Sequence, residues 1–284
     1  MKTILNVSMI QLDMVHQDVK KNRLKAQAML DQAADARPDV VLLPETWTSG
    51  YSVPVFRSIR QYAEHIDGES VALLRRASEK YGFYLIGGSF AERDGDYCYN
   101  TVPVIGAGGA LIGRYRKMHL YSAMDEDKAF RHGTEMPVFD SEFGKFSVMT
   151  CYDIRFLELS RTYALRGAHV IFVVSNFPRP KLHHWRTLLQ ARAIENQVYV
   201  VACNRVGAAD TYTYFGHSMV IDPWGEIMAE GGEDECIVSA TLDMTSVGAV
   251  RSKIPVYYDR RPESYPGDFM RPGLPAGEVK PAGA

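Results

Sequence analysis

The stretch Phe146-Ser147-Val148-Met149-Thr150-Cys151-Tyr152-Asp153-Ile154-Arg155 is an apolar run that ends abruptly at a cysteine. Its apolar part, residues 146–150, predicts a strand that places Cys151 at its carboxyl end. A helix is expected from about Phe156, and the partial positive charge at its N-terminus would favour a Cys151 thiolate. Cys151 is therefore a candidate nucleophile. The alternative is an inert core thiol, which is the commoner fate of a free cysteine.

Length and composition indicate one large globular unit. The chain has 284 residues, of which 46% are hydrophobic, and this is enough for a substantial core. No linker divides it, so we expect a single domain over residues 1–270. Residues 271–284 are rich in proline and glycine. We expect them to form a C-terminal tail that is mobile or lies on a neighbouring subunit.

Charge and cysteine usage exclude several functional classes. The formal net charge is −2, and the 32 basic and 34 acidic residues are interspersed. Such a chain offers no basic stripe for nucleic acid or anionic lipid, and no apolar stretch is long enough to span a bilayer. The four cysteines lie far apart without a C-x-x-C pair, so no metal site is predicted. This usage, with no signal-peptide pattern at the N-terminus, favours a cytoplasmic location.

Apolar runs alternate with amphipathic helical segments along the whole chain. Three of the runs have the pattern of strands that are covered on both faces: Val40–Leu43, Phe146–Thr150 and Val170–Val174. Hairpin patterns interrupt this alternation, one of them around Gly108-Gly109. The pattern predicts an α/β protein with mixed sheets covered by helices.

Polar residues follow these three buried strands, and ligands of α/β sheets bind at the carboxyl ends of strands. Glu45, Cys151 and Asn176 are therefore expected to converge. A carboxylate beside a thiol provides a base and a nucleophile. Lys117, at the end of a further predicted strand, would lower the thiol pKa and stabilise an oxyanion.

Each of these residues also has a simpler interpretation. Glu45 could be a solvated turn residue, Lys117 a charge on a strand edge, and Asn176 a residue that satisfies its own turn. Glu126 lies in the run Asp125-Glu126-Asp127-Lys128, which has the composition of a surface charge cluster. Taken singly, none of the four establishes a catalytic site.

The joint occurrence of three motifs favours the catalytic interpretation. The motifs are Leu43-Pro44-Glu45, Tyr115-Arg116-Lys117-Met118-His119-Leu120 and Cys151-Tyr152-Asp153-Ile154-Arg155-Phe156. In this order and spacing they closely resemble the catalytic motifs of the nitrilase (carbon–nitrogen hydrolase) superfamily, and the resemblance extends to about Tyr265. It implies a four-layer αββα sandwich of two mixed β-sheets flanked by helices.

The resemblance also implies roles for individual residues. Glu45, Lys117 and Cys151 would form the catalytic triad, and the backbone N–H of Tyr152 would join Lys117 in binding the oxyanion. Glu126 matches a second glutamate of the family and would orient the substrate amide.

Other positions are expected to line the pocket or to support it. The segment that begins at Asn176 and Phe177 lines the pocket in relatives, so both are candidate substrate-binding residues. Asp153 and Arg155 match positions that many branches share, and a structural ion pair between them is expected at the helix start.

Within the superfamily, the sequence looks most like the ω-amidase branch, which hydrolyses the terminal amide of 2-oxo dicarboxylic acid monoamides. Such a small-molecule substrate carries a free carboxylate and needs a cation in the pocket. The candidates are Arg155, Arg179, Lys181 and Arg205. The alternatives are an amidohydrolase for N-carbamoyl amines or aliphatic amides, a nitrile-hydrolysing enzyme, and a catalytically silent scaffold subunit.

No metal, nucleotide or organic cofactor is implied, because the thiol itself does the covalent chemistry. Relatives pair through helices on one face of the sandwich, so we expect a homodimer or a higher homo-oligomer. The predicted interface consists of the helix after Cys151 and the segment from about Val247.

Overall fold

The structure is a computed structural model that describes residues 2–265. Its strands, numbered in chain order, are β1 (Ile4–Gln11), β2 (Val40–Leu42), β3 (Tyr84–Ile86), β4 (Phe90–Asp94), β5 (Tyr97–Ile105), β6 (Leu111–Arg116), β7 (Phe139–Ser141), β8 (Gly144–Thr150), β9 (Val170–Ser175), β10 (Tyr199–Asn204), β11 (Val206–Ala209), β12 (Tyr212–Phe215), β13 (Met219–Ile221), β14 (Ile227–Glu230) and β15 (Cys236–Asp243).

The α-helices, numbered in the same way, are α1 (Val19–Ala33), α2 (Val53–Arg57), α3 (Glu69–Tyr81), α4 (Glu126–Ala129), α5 (Leu157–Leu165), α6 (Leu182–Asn196), α7 (Thr245–Lys253) and α8 (Val256–Asp259). Local chemistry explains several of their ends. The Asp18 side chain accepts a hydrogen bond from the Lys21 N–H and caps α1. Gly82 ends α3 at φ +74°, a left-handed conformation that glycine adopts without strain.

The strands form two large mixed sheets. The first has the order β15-β1-β2-β3-β5-β4, with β6 also paired to β5, and the second has the order β14-β13-β10-β9-β8-β7. Pairing is parallel from β1 through β2 to β3, and again from β8 through β9 to β10; the other pairs in the two sheets are antiparallel. The parallel strands of each sheet therefore end at a common edge.

The two sheets pack face to face, and helices cover their outer faces. One buried cluster includes Val7 and Leu42 of the first sheet with Val148 and Phe172 of the second, and it continues to Trp185 of α6. A second cluster packs α1 and α3 on the other face of the first sheet. The layers are therefore helix, sheet, sheet, helix, as the resemblance predicts.

Sequence patterns identify most of these elements, but not all of them. The hairpin at Gly108-Gly109 is confirmed, since it joins β5 to β6. The patterns do not predict β4 or the two-stranded sheet of β11 and β12. The single domain over 1–270 stays a prediction, and both its end and the tail 271–284 lie outside the described residues. No helix among residues 2–265 has the length and apolarity to cross a membrane.

Candidate active site

The candidate residues lie at the ends of strands where the two sheets meet. Glu45 follows β2, Lys117 follows β6, Cys151 follows β8 and Asn176 follows β9. All four are buried, and Cys151 has the largest exposed fraction, 7%. The interpretations as a solvated turn and a solvated strand edge are therefore wrong for Glu45 and Lys117.

Lys117 lies between two carboxylates. Its Nζ is 2.8 Å from Glu45 Oε1 and 2.9 and 2.8 Å from the two carboxylate oxygens of Glu126. Burial alone would lower the pKa of Lys117, but Glu126 and Glu45 outweigh it and raise the pKa well above its ordinary value. Lys117 is therefore a permanent ammonium at this position.

Glu126 is fully buried and is not part of a surface charge cluster. Its Oε1 accepts hydrogen bonds from Asn100 Nδ2 and Lys117, and its Oε2 accepts from the Tyr51 hydroxyl, the Tyr121 N–H and Lys117. A carboxylate has about four acceptor positions. Those of Glu126 are all used by protein donors.

Asn100 and Tyr51 belong to this network, although no sequence motif singles them out. Asn100 Nδ2 donates to Glu45 Oε1 and to Glu126 Oε1, 2.9 Å in each case. Tyr51 donates to Glu126 at 2.8 Å, and its ring lies 5.3 Å from the Lys117 ammonium. The one signal in the sequence for Asn100 is a polar side chain inside a strand that is otherwise largely apolar.

Glu45 is also held by two hydrogen bonds from Asn176. Its Oε2 accepts from the Asn176 N–H at 2.9 Å, and its carbonyl oxygen accepts from Asn176 Nδ2 at 2.9 Å. Burial raises the pKa of Glu45, Lys117 opposes that rise, and the negative charge of Glu126 adds to it. A carboxylate with a raised pKa is suited to accept and return a proton.

Cys151 has φ +46°, a left-handed conformation that is uncommon for a residue other than glycine. Burial raises the pKa of its thiol, the charge of Glu45 adds to the rise, and Lys117 opposes it without cancelling it. The predicted lowering of the thiol pKa is therefore wrong, because burial outweighs the nearby cation. In addition, a 3-10 turn over Cys151–Arg155 separates the thiol from α5, which begins at Leu157.

The predicted ion pair between Asp153 and Arg155 is also wrong. Asp153 is fully buried and accepts hydrogen bonds from Tyr115, Thr150 and His119. Arg155 lies at the pocket, with its guanidinium 5.4 Å from the ring of Phe177. Residues two apart in a helical turn point in different directions, so they do not pair.

A pocket of about 300 Å³ opens beside Cys151. This volume suits a small molecule. Its wall contains Tyr51, Tyr121, Met124, Cys151, Tyr152, Arg155, Asn176, Phe177, Pro178, Lys181 and Tyr214. The structure thus brings Tyr152 and all three predicted substrate-binding residues, Arg155, Asn176 and Phe177, to one cavity.

Two of the four candidate cations lie at this pocket. Arg155 and Lys181 are in its wall, and neither forms an ion pair with a carboxylate among residues 2–265. Arg179 pairs with Glu233 instead. Arg205 is fully buried and donates to the carbonyl oxygens of Val206 and Met14.

Asn176 has an unused acceptor in the pocket. Its Nδ2 donates to the Glu45 carbonyl oxygen and to Thr46 Oγ1, which fixes the orientation of the amide. Its Oδ1 is buried and has no hydrogen-bond partner among the described residues. Buried polar atoms are normally paired, so this unpaired oxygen beside the pocket is an exception.

The site therefore combines a thiol, a carboxylate with a raised pKa and a permanent ammonium beside a small cavity. Such an arrangement can transfer an acyl group to the thiol and then to water. Among residues 2–265, no group of three or more His, Cys, Asp or Glu side chains is arranged to hold a metal ion.

The chain matches the carbon-nitrogen hydrolase family over residues 6–252. It is 38% identical over 259 residues to 2-oxoglutaramate amidase of Bacillus subtilis (strain 168), a match that covers 91% of this chain and 98% of that protein. It is 35% identical over 278 residues to Omega-amidase NIT2 of Danio rerio, with 95% and 96% covered.

A solved structure gives the same result. The crystal structure of Saccharomyces cerevisiae Nit3, a member of branch 10 of the nitrilase superfamily, superposes with a TM-score of 0.85 at 32% identity. The match covers 93% of this chain and 98% of Nit3. The predicted resemblance is thereby confirmed, and the chain belongs to the carbon–nitrogen hydrolase family.

Proposed function

We propose that the protein is an ω-amidase that hydrolyses the terminal amide of a 2-oxo dicarboxylic acid monoamide, such as 2-oxoglutaramate, and releases ammonia. The observation that carries the proposal is the buried contact between Lys117 and Glu45, since Glu45 in turn contacts Asn176 in the wall of the pocket that contains Cys151. Identity of 38% to a 2-oxoglutaramate amidase over nearly the full chain supports this substrate class.

In the first step, the Cys151 sulfur attacks the amide carbon while Glu45 accepts the thiol proton. Because the thiol pKa is raised, the proton must leave during the attack, which requires a base in contact. Negative charge develops on the amide oxygen. The Lys117 ammonium and the Tyr152 N–H bind that oxygen as it becomes an oxyanion.

In the second step, Glu45 returns the proton to the amide nitrogen, the carbon–nitrogen bond breaks, and ammonia leaves a thioester on Cys151. Glu45 then accepts a proton from water as the water attacks the thioester. The acid product leaves, and the thiol regains its proton. The raised pKa of Glu45 supports both directions of transfer.

Glu126 acts in this scheme by positioning Lys117 rather than by orienting the amide of the substrate. Its acceptor positions are used by Asn100, Tyr51, Tyr121 and Lys117. The unpaired Asn176 Oδ1 is the better acceptor for a substrate amide N–H.

The pocket cations support a substrate with a free carboxylate. Arg155 and Lys181 are in its wall without an acidic partner among the described residues, and a planar guanidinium binds a carboxylate in a bidentate manner. The ring of Phe177 packs against the Arg155 guanidinium. The backbone N–H of Phe177 donates to Asn204 Oδ1 at 2.8 Å. Arg155 therefore lies on a rigid support.

Ammonia release from a matched panel of amides tests the substrate class. The panel contains 2-oxoglutaramate, glutaramate without the 2-oxo group, butyramide without the carboxylate, an N-carbamoyl amino acid and butyronitrile. We expect the highest kcat/KM for 2-oxoglutaramate, by at least about tenfold over butyramide, since a charge-assisted contact to the carboxylate contributes about 1.5–3 kcal/mol. If N-carbamoyl compounds or the nitrile react as fast as 2-oxoglutaramate, the ω-amidase assignment is wrong.

We also propose a homodimer that forms through α5 and the segment from Val247. Apolar side chains are exposed there, including Leu157, Leu165, Ile254 and Tyr258, and an apolar patch of this kind supports an interface. Light scattering should give the mass of a dimer for the wild type and a monomer for Leu165→Glu. A monomeric wild type would contradict this assembly.

The proposed compartment is the cytoplasm. All four cysteines are free, which supports a reducing compartment. Activity in the cytoplasmic fraction of source cells is the expected result, and activity confined to a secreted or membrane fraction would contradict it.

A further inference from the structure

Asp153 lies in the 3-10 turn Cys151–Arg155, which is the nucleophile turn. Its side chain is buried, and its carboxylate accepts four hydrogen bonds. Its Oδ2 accepts from the Tyr115 hydroxyl at 2.7 Å and from the Thr150 N–H at 2.8 Å. Its Oδ1 lies 3.1 Å from the His119 backbone nitrogen, which donates, and 2.8 Å from His119 Nδ1. Within residues 2–265, no lysine or arginine lies within ion-pair distance of this carboxylate. Asp153 therefore binds two chain segments, one that contains Tyr115 and His119 and one that contains Thr150, rather than a lysine or an arginine.

These two segments carry the groups proposed to bind the oxyanion. Tyr115 belongs to β6 of the first sheet, and with His119 it flanks Lys117 on both sides. Thr150 ends β8 of the second sheet and directly precedes Cys151. The Asp153 carboxylate is thus hydrogen-bonded to both sheets. These bonds hold the segment around Lys117 at a fixed distance from the nucleophile turn.

The nucleophile turn itself requires such a restraint. Cys151 has φ +46°, a conformation that a residue with a Cβ keeps only when its surroundings impose it. The bond from the Thr150 N–H to Asp153 closes the turn around Cys151 and Tyr152. The Tyr152 N–H is therefore oriented by a turn that Asp153 closes.

We propose that Asp153 is a positioning residue that holds Lys117 and the Cys151–Tyr152 turn at the separation that the two oxyanion donors require. This inference rests on the proposed function, since an oxyanion forms only when Cys151 attacks a carbonyl carbon. Asp153 does not touch the substrate. It acts through the placement of Lys117 and the Tyr152 N–H.

Asp153→Asn tests the inference because it preserves shape and changes the acceptors. Asparagine offers one acceptor oxygen and turns an NH₂ group toward the donors on the other side, so bonds to one of the two segments are lost. We expect kcat for amide hydrolysis to fall about 100-fold with KM within about threefold, after normalisation to the thiols that iodoacetamide titrates. Asp140→Asn is the matched control, since Asp140 is 83% exposed, and it should be unchanged.

A purely structural role gives a different result. It would lower the fraction of protein with a titratable Cys151 thiol but leave kcat per thiol within about threefold of wild type, which would overturn the inference. If Asp153→Asn does not fold, Tyr115→Phe removes one of the donors to Asp153, together with the acceptor of the Met118 N–H. It should lower kcat per thiol about tenfold, and no change would also overturn the inference.

A second readout needs no turnover. Butanal adds to the thiol: a carbon–sulfur bond forms, the carbon–oxygen π bond breaks, and the thiol proton passes through Glu45 to the oxygen. That oxygen occupies the proposed oxyanion position, and protection of Cys151 from iodoacetamide measures the affinity. Asp153→Asn should weaken protection by at least about tenfold, with alkylation of the free protein within about threefold.

Equal protection of wild type and Asp153→Asn, or no protection of the wild type, would overturn the inference. The proposed function fails separately if the wild type releases no ammonia from any amide. In that case, the butanal measurement still decides the role of Asp153.

Discussion

The Nζ of Lys117 lies 2.8 Å from Oε1 of Glu45, and solvent reaches neither side chain. A buried ion pair of this kind is stable only as a complete set, because removal of one partner leaves an uncompensated buried charge. Glu126 adds a second carboxylate to the same ammonium. The base and the cation of the site therefore depend on each other for both stability and catalysis.

Lys117→Met should abolish ammonia release and destabilise the protein by about 3–5 kcal/mol near neutral pH. The two carboxylates lose their cation, so their pKa values rise in the folded state. A carboxyl whose folded pKa is raised destabilises the fold above its unfolded pKa, and this cost disappears as pH falls through the folded pKa. Chemical denaturation at about pH 8 and about pH 5 should show the larger deficit at pH 8.

Lys128→Met is the matched control, since Lys128 is exposed and its one ion pair among residues 2–265 is with Asp125 at 2.7 Å. Its stability should stay within about 0.5 kcal/mol of wild type. A Lys117→Met protein with the same deficit at both pH values would contradict the electrostatic explanation.

Glu126→Gln separates the two roles considered for this residue. The new NH₂ group would face the Lys117 ammonium or the Tyr51 hydroxyl, so Lys117 would shift. We expect kcat to fall about 10- to 100-fold with KM within about threefold, the pattern of an interaction made only in the transition state. If KM rises while kcat is retained, Glu126 orients the substrate as the family resemblance implied.

Arg155→Gln should affect only substrates with a carboxylate. Loss of a charge-assisted contact corresponds to about a 10- to 100-fold lower kcat/KM for 2-oxoglutaramate. For butyramide, the change should be under about threefold. Arg179→Gln is the matched control, because Arg179 pairs with Glu233 and is not in the pocket wall. An equal loss for both substrates would show that Arg155 does not bind the carboxylate.

The raised pKa values of Cys151 and Glu45 predict two pH profiles. Iodoacetamide alkylation of Cys151 should keep rising beyond about pH 9, because the thiolate forms only above the ordinary thiol range. Ammonia release needs ionised Glu45, so kcat/KM should decline on the acid side at a midpoint above about 4.3, the ordinary glutamate value.

The charge of Glu45 raises the thiol pKa, so Glu45→Gln should move the alkylation profile to lower pH while it abolishes amide hydrolysis. An alkylation rate that is already constant at neutral pH would mean a resting thiolate and would contradict this description of the site.

The strand pattern carries most of the information about the fold and about the triad. Buried parallel strands have continuous apolar runs, and their ends are visible where polar residues begin, at Glu45 after one run and at Ser175-Asn176 after another. Short elements with mixed patterns, such as β4 and the β11–β12 hairpin, have no such signal. Their positions depend on contacts with distant strands rather than on their own composition.

The sequence alone does not show how deeply a residue is buried or in which direction its side chain points. The prediction of a lowered thiol pKa failed because the order of residues gives the neighbours of Cys151 but not the desolvation that outweighs them. Asn100 was missed because its partners Glu45 and Glu126 are 55 and 26 residues away. The family resemblance implies an ion pair between Asp153 and Arg155, but the donors to Asp153 come from β6, β8 and the loop after β6.

The proposed mechanism requires Cys151 as its nucleophile. Ammonia release from 2-oxoglutaramate by Cys151→Ala measures this requirement, with Cys203→Ala as the control, since Cys203 is also a buried free cysteine with a raised thiol pKa. We predict that Cys203→Ala keeps activity within about threefold of wild type and that Cys151→Ala loses at least about 10⁴-fold. Ammonia release by Cys151→Ala within about tenfold of wild type would contradict the proposed mechanism.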